Sequence, residues 1–167
     1  MSRVRRPGGS EPATVSLRRG GPVDADAVAD VLIRSRAAAD IPASVHDAGD
    51  VRRWVGEQLL VDAEVWLATD GSDDSDVVGV LALTPGWVEQ LFVTPEHVGQ
   101  GVGTQLLAHA MQRQPDGLQL WTFVSNRGAQ RFYERHGFVE VERTDGAGNE
   151  ERAPDIRYAW RGRSRTP

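Results

Sequence analysis

Hydrophobic residues alternate with polar ones in some segments of the chain and recur every three or four residues in others. Residues 15–18 alternate like a half-buried strand, whereas Val28, Val31 and Leu32 mark one face of a helix that follows a capping residue, Asp24. Strand and helix patterns take turns along the chain, which predicts one mixed α/β domain with about seven strands and about four helices. The predicted strands are 15–18, 65–68, 77–84, 87–93, 118–124, 138–143 and 156–160. The predicted helices are 24–38, a run around 51–59, a helix after three alternating glycines that has Leu106, Leu107, Ala110 and Met111 on one face and stops near Pro115, and a helix after the strand 118–124.

Three connecting segments lack either period. Residues 39–47, with Pro42 and His46, separate two predicted helices, and we predict that 41–46 act as a lid over a binding site. The acid-rich segment 69–76 predicts the turn of a hairpin, and the glycine-rich segment 144–150 predicts a mobile connector between the last two strands.

Three alternating glycines carry the strongest functional signal. Gly99, Gly101 and Gly103 follow the strand that ends at Val93 and open a helix, so the backbone can approach a ligand while the helix N-terminus directs unpaired N–H groups at it. This arrangement suits a phosphate-bearing ligand. A Walker-type loop is excluded because the chain contains no lysine, and a dinucleotide fingerprint fits poorly because Thr104 stands where its third glycine belongs.

The remaining interpretation rests on two motifs. The segment Val98-Gly99-Gln100-Gly101-Val102-Gly103 resembles the acyl-CoA loop of the GNAT superfamily of N-acetyltransferases, which reads Arg/Gln-x-x-Gly-x-Gly/Ala. About twenty residues later, the segment from Asn126 to Phe138 resembles the second half of the same signature, Asn-x-x-Ala-x-x-Phe-Tyr-x-x-x-Gly-Phe. The resemblance extends over about 15–160, and its one departure is Val98, which replaces the family's Arg or Gln.

The resemblance implies a mostly antiparallel sheet with splayed central strands, and acetyl-CoA as cosubstrate. It implies that the main chain of the strand before the glycines binds the pantetheine arm, that the glycine loop holds the pyrophosphate, and that Tyr133 is the general acid for the departing thiolate. Asn126 caps its helix in our interpretation and also faces the ligand with Ala129. The predicted cofactor-binding residues are Leu91, Phe92, Val93, Val98, Gly99, Gln100, Gly101, Val102, Gly103, Thr104, Asn126 and Ala129.

The base that receives the proton of the incoming amine is a separate prediction. Glu89 precedes Leu91 by two residues, so both side chains face one side if the strand is regular, and we predict that Glu89 acts as the base directly or through water. A bulge would change that orientation. An exposed structural glutamate is the alternative, and Gln90 is the neighbouring polar candidate.

Composition narrows the class of protein further. A length of 167 residues fits a single domain, 15–160, with basic tails at 1–14 and 161–167 that we predict to be disordered. The absence of cysteine excludes disulfides, thiolate metal sites and a cysteine nucleophile. No apolar run approaches ~18 residues and no secretory apolar core is present, which predicts a cytoplasmic protein without membrane contact.

Charge bears on the partners. The tails hold six of the 19 basic residues and one of the 24 acids, which leaves residues 15–160 with a formal charge of −10. An acidic domain repels nucleic acid and slightly favours cationic amines, although the scattered acids also serve solubility. The four histidines, His46, His97, His109 and His136, lack metal-ligand spacing, so we predict no metal and keep only His46, in the predicted lid, as a candidate for the site.

The sequence therefore predicts an acetyl-CoA-dependent N-acetyltransferase that acts by direct transfer on a primary amine of a small molecule or a peptide. A non-catalytic acyl-CoA-binding sensor is the alternative, and a nucleotide-binding Rossmann-like domain is a weaker one. The resemblance also makes a homodimer an expectation.

Overall fold

Seven strands form one sheet in the computed structural model, which describes residues 14–71 and 76–162. Their order across the sheet is β1-β2-β3-β4-β5-β7-β6, and every neighbouring pair is antiparallel except β4 and β5. The strands are β1 Ser16–Arg19, β2 Glu64–Asp70, β3 Asp76–Thr84, β4 Trp87–Val93, β5 Gly117–Phe123, β6 Val139–Thr144 and β7 Asp155–Arg161.

Four helical segments accompany this sheet in the part of the chain that the structure describes. They are α1 Ala25–Ala38, α2 Ala48–Trp54, which continues through a π-helical turn Val55–Leu59 into Leu60–Asp62, α3 Val102–Arg113 and α4 Arg127–Arg135.

The prediction that Asp24 caps the start of α1 was wrong. Asp24 belongs to a short 3-10 turn, and its carboxylate binds the Arg18 guanidinium at 2.7 Å and the Gly21 N–H at 2.9 Å, so it is not free to cap α1.

Alternation along the strands divides the core between the two faces of the sheet. In β2, Val65 and Leu67 pack with α1 and α2, whereas Ala68 packs against α3 on the other face. Strand β3 repeats this division with Val80 on the first face and Leu81 on the second. Both faces of the central strands are therefore covered by helices, as their nearly continuous apolar sequence predicts.

Strands β4 and β5 separate soon after they meet. Only Trp87 and Gln119 pair across them, and the Gln119 N–H donates to the Gly86 carbonyl at 2.8 Å. Beyond that point the two strands diverge, and their facing edges open a cleft. The predicted fold class, a mixed sheet of seven mostly antiparallel strands with splayed central strands and four helices, is confirmed.

Several sequence predictions fall outside the described residues. These are nearly all of the two basic tails, 1–14 and 161–167, and the middle of the acid-rich 69–76 connector. No helix within 14–71 and 76–162 combines the length and the hydropathy needed to cross a membrane.

Candidate functional site

The cleft between the diverging strands has a volume of about 620 Å³. Strand β4 contributes Val88–Phe92 to one wall, and β5 contributes Leu120–Phe123 to the other. The first turns of α4 close one side through Asn126, Ala129 and Tyr133. The β6–β7 loop and the end of α1 complete the lining through Thr144, Gly148, Asn149, Glu151, Asp155, Arg36 and Ile41.

The main chain of β4 presents an unpaired edge to this cleft. Thr94 N–H donates to the Val78 carbonyl of β3 at 2.9 Å, so Phe92, two residues earlier, also directs its amide group toward β3. The amide groups of Leu91 and Val93 alternate with it and point to the open side. The carbonyl oxygen of Val93 already accepts a hydrogen bond from the Ser35 hydroxyl of α1, at 2.8 Å.

The glycine loop lies beyond the end of β4, outside the lining of the cleft. Gly99 and Gly101 have φ angles of 78° and 87°, in the left-handed region that favours glycine, and Gly101 is the residue before the first turn of α3. Gly103 faces α4, and a Cβ there would lie 3.4 Å from the Phe132 ring, in ordinary van der Waals contact. The first amides of α3, from Val102 onward, have no acceptor within the helix.

The side chains of the loop differ in their availability. Val98 is 66% exposed and Thr104 is exposed, whereas Val102 is fully buried in the core beneath the loop. Gln100 turns back on the chain, and its side-chain N–H donates to the Glu96 carbonyl at 2.7 Å. The loop therefore offers main-chain amides and glycine surface to a ligand, rather than a charged side chain.

Tyr133 lies in α4 with its ring buried among aromatic side chains and lines the cleft together with Asn126 and Ala129. Burial raises the pKa of its phenol well above the usual value, so the group keeps its proton at neutral pH. Within the described residues the phenol has no hydrogen-bond partner, which leaves its O–H available to a ligand. Asn126 caps α4, accepting from the Ala129 N–H at 3.1 Å, as its position in the motif predicts.

Glu89 occupies a β-bulge. Ala82 pairs with Gln90 while Leu83 pairs with Val88, so Glu89 has no partner on β3. The regular alternation assumed in the sequence argument is therefore wrong at this residue, and Val88 and Leu91 pack against the same core cluster although they are three residues apart. Glu89 is exposed, lines the cleft, and accepts a hydrogen bond from the Thr84 hydroxyl at 2.5 Å.

A second cavity, also of about 620 Å³, lies on the side of the sheet where α1 and α2 pack. Three residues line both cavities, namely Arg36, Gln90 and Glu151, and they form the boundary between the two spaces. The other lining residues are Leu32, Ser44, His46, Asp50, Val51, Arg53, Trp54, Glu57, Gln58 and Glu150.

The predicted lid, 41–46, borders both cavities. Ile41 lines the cleft, and His46 lines the second cavity, where its Nε2 lies 2.9 Å from a Glu150 carboxylate oxygen. The Ser125 hydroxyl donates to the Asp40 carbonyl at 2.8 Å and attaches this segment to the turn before α4.

The other three histidines are remote from both cavities. His97 contacts Thr94 and Asp70, His136 contacts the Phe132 carbonyl, and His109 lies against Trp66. No cluster of three or more metal-ligating side chains occurs among the described residues.

Comparison with known proteins identifies the family of the central region. The family model described as "Acetyltransferase (GNAT) domain" matches residues 61–140, which contain β4, the glycine loop and α4. Residues 61–140 are identified by this match as a GNAT acetyltransferase domain. A GNAT domain is what both sequence motifs predicted, and the splayed strands, the loop and Tyr133 lie within the matched region.

Relatives support this assignment over part of the chain. The peptidyl-lysine N-acetyltransferase YjaB of Salmonella typhimurium is 34% identical over 87 residues, which are 52% of this chain and 58% of that protein. The aligned part thus spans less than two thirds of the curated relative's length. The solution structure of apo YjaB from Escherichia coli has a TM-score of 0.72 and 25% identity, covering 89% of this chain and 99% of that one.

A second solved structure shares the fold. The PaiA N-acetyltransferase of Thermoplasma acidophilum, solved in complex with coenzyme A, has a TM-score of 0.65 at 20% identity, covering 89% of this chain and 99% of that one.

Sequence reasoning missed Arg36 and Glu151. Arg36 is at the end of a helix where a basic residue is ordinary, and Glu151 is one of two adjacent acids in a loop without periodicity. Trp54 and Trp121 do line the second cavity and the cleft, respectively, although the sequence offered no reason to assign them to a site.

Proposed function

We propose that this protein is an acetyl-CoA-dependent enzyme that transfers an acetyl group directly to a primary amine of a small molecule or a peptide. The observation that carries the proposal is the Tyr133 phenol, protonated and without a partner among the described residues, on the wall of a cleft between splayed strands. The match of residues 61–140 to the GNAT acetyltransferase domain supports it. The name of the YjaB relative favours a lysine side chain in a peptide as the acceptor.

Two groups of main-chain amides support the proposal that acetyl-CoA binds here. Leu91 and Val93 present main-chain amides to the cleft, and these can bind the pantetheine arm as an added strand would. The glycine loop and the first turn of α3 offer amides and a helix dipole to the pyrophosphate. Phe92 takes part through its side chain, because its amide group points to β3.

When bound, acetyl-CoA supplies an activated acetyl group and a thiolate leaving group. Tyr133 donates the proton that the thiolate needs, and Asn126 and Ala129 hold the helix face on which Tyr133 lies. An amide of the open β4 edge stabilises negative charge on the acetyl carbonyl oxygen. Glu89 receives the proton of the acceptor amine from its bulge, directly or through water.

The acceptor occupies the second cavity in this proposal. Its lining includes four carboxylates, on Asp50, Glu57, Glu150 and Glu151, and two guanidinium groups, on Arg36 and Arg53, which suits a cationic amine better than an anion. The predicted lid, with His46, forms part of its wall. Homodimer formation and a cytoplasmic location stay predictions from the sequence.

A non-catalytic acyl-CoA sensor is the second candidate, favoured by the absence of a charged side chain at Val98. The variant Tyr133→Phe separates the two functions because it removes the O–H and preserves the ring packing. We expect kcat for acetyl transfer to a lysine-containing peptide to fall about 10²-fold or more, with acetyl-CoA affinity within about twofold of the unmodified protein. Unchanged turnover would reject Tyr133 as the acid, and no turnover by the unmodified protein on a panel of amines would favour the sensor.

A further inference from the structure

The two cavities share a boundary that contains an ion pair. An Arg36 Nη2 atom of α1 lies 3.1 Å from Oε1 of Glu151, 115 positions away in the loop between β6 and β7. The two side chains are 25% and 16% exposed, and they are more enclosed than most of the ion pairs on this molecule. A ligand in the second cavity that reaches toward the cleft therefore meets this pair.

The loop that carries Glu151 is held in one conformation. The Asn149 side chain donates to the Ala153 carbonyl at 2.8 Å and to an Asp155 carboxylate oxygen at 2.9 Å, and it accepts from the Ala153 N–H at 3.2 Å. These hydrogen bonds join Asn149 to residues 153 and 155 and so close a tight turn that contains residues 150–152. Arg152 adopts a φ of 53°, in the left-handed region that a non-glycine residue seldom occupies.

This conformation separates the neighbouring side chains. Glu151 lines both cavities and its side chain is 16% exposed, whereas Glu150 lines only the second cavity, beside His46, and is 70% exposed; Arg152 is exposed. The prediction of a mobile 144–150 connector therefore does not match the hydrogen bonds that cross it.

Arg36 uses only one oxygen of the Glu151 carboxylate. The other oxygen, Oε2, has no hydrogen-bond partner among the described residues. Glu151 lines both cavities, so a carboxylate of which one oxygen is held and the other has no partner is suited there to accept an N–H bond from a cation. The carboxylate would repel an anionic group. A bulky group would have to break the ion pair between Arg36 and Glu151.

We propose that Glu151 is the residue that selects the acceptor by binding its ammonium group, and that Arg36 positions the carboxylate for that contact. This inference rests on the proposed function, since it assigns the second cavity to the acceptor. The ligand class is a primary alkylammonium on a chain long enough to reach the boundary, as in a lysine side chain. Transfer then follows when the ammonium gives one proton to Glu89 and the resulting amine forms the C–N bond as the C–S bond breaks. Tyr133 protonates the departing thiolate, and the second proton released by the nitrogen restores Tyr133 through solvent.

A binding measurement tests this without turnover. The probes are Nα-acetyl-lysine amide and Nα-acetyl-norleucine amide, which has a similar aliphatic chain without the amine, titrated into CoA-saturated protein and followed by NMR. We expect the unmodified protein to bind the lysine probe at least about tenfold more tightly, because a hydrogen bond to a charged group contributes that much. Equal affinity for the two probes would overturn the proposal.

Three variants identify the group responsible. Glu151→Gln should remove the preference for the amine, since its amide keeps the shape but not the charge. Arg36→Gln removes the contact that positions the carboxylate but leaves the carboxylate itself, so it should reduce the preference without abolishing it. Glu140→Gln, which breaks an exposed pair with Arg143 outside both cavities, should retain it.

The pattern of results is decisive in each case. Full retention of the preference in Glu151→Gln would overturn the proposal, as would a loss in Arg36→Gln as large as that in Glu151→Gln, which would assign the pair a purely structural role. Failure of the proposed function shows differently, as tight binding of the lysine probe without acetyl transfer.

Discussion

Single residues at this site owe their positions to departures from regular backbone structure. Glu89 lies in a bulge, Gly99 and Gly101 need positive φ, and Arg152 does as well. Such departures are concentrated where side chains or amides must be directed at a ligand. The sequence alone predicted that the glycines of the loop allow an unusual backbone. It did not predict the bulge at Glu89, because a bulge depends on the pairing with the partner strand.

The role of Glu89 gives a prediction at this scale. Glu89→Gln keeps the size of the side chain but cannot accept a proton, so we expect kcat for acetyl transfer to fall about 10²-fold with acetyl-CoA affinity preserved. Thr84→Val removes the hydroxyl that holds the carboxylate and should lower kcat less. Steady-state kinetics at pH 7 would measure both, and turnover of Glu89→Gln equal to that of the unmodified protein would reject the residue as base.

At the scale of elements, most strands were predicted to within two residues, because apolar runs between turn residues are local signals. The order β5-β7-β6 was not predictable from the residues alone, since pairing depends on contacts between distant segments. The resemblance supplied the splay of β4 and β5. The cleft was therefore predictable through the family, whereas the second cavity, built by α1, α2 and the β6–β7 loop, was not.

The β6–β7 loop offers a test of how firmly an element is fixed. Gly146 is buried with φ 82°, and a Cβ there would lie 2.2 Å from the Ala153 carbonyl carbon. Gly146→Ala should lower the free energy of unfolding by at least about 2 kcal/mol, because the left-handed conformation and the contact are both unfavourable. Gly148→Ala, with no atom within 4 Å of its Cβ, is the matched control and should change it by about 0.5 kcal/mol or less. Similar denaturant midpoints for the two variants would contradict this prediction and show that the loop can rearrange to accommodate a Cβ at position 146.

At the scale of the whole molecule, the sheet consists of two groups of strands, and the proposed ligand contacts both. Strands β1–β4 pair continuously, β5–β7 form a second group, and a single residue pair between β4 and β5 joins the groups along the strands. A ligand that binds the open edge of β4 and contacts α4 adds interactions between these groups. Its binding should therefore raise the free energy of unfolding of the whole domain. The size of that increase for different ligands identifies which of them binds.

Acetyl-CoA at about 100 times its dissociation constant should add about 2.7 kcal/mol to the free energy of unfolding, because it binds only the native state. For a domain of this size that corresponds to a rise in Tm of about 5–10 °C. CoA should act similarly, since the pantetheine and pyrophosphate contacts do not require the acetyl group, whereas NAD and ATP lack the pantetheine arm and should leave Tm within about 1 °C. The experiment is a thermal melt at equal ligand concentrations. A shift with NAD or ATP and none with either CoA species would mean that the glycine loop binds nucleotides by a different arrangement, and the β4 edge would lose its proposed role.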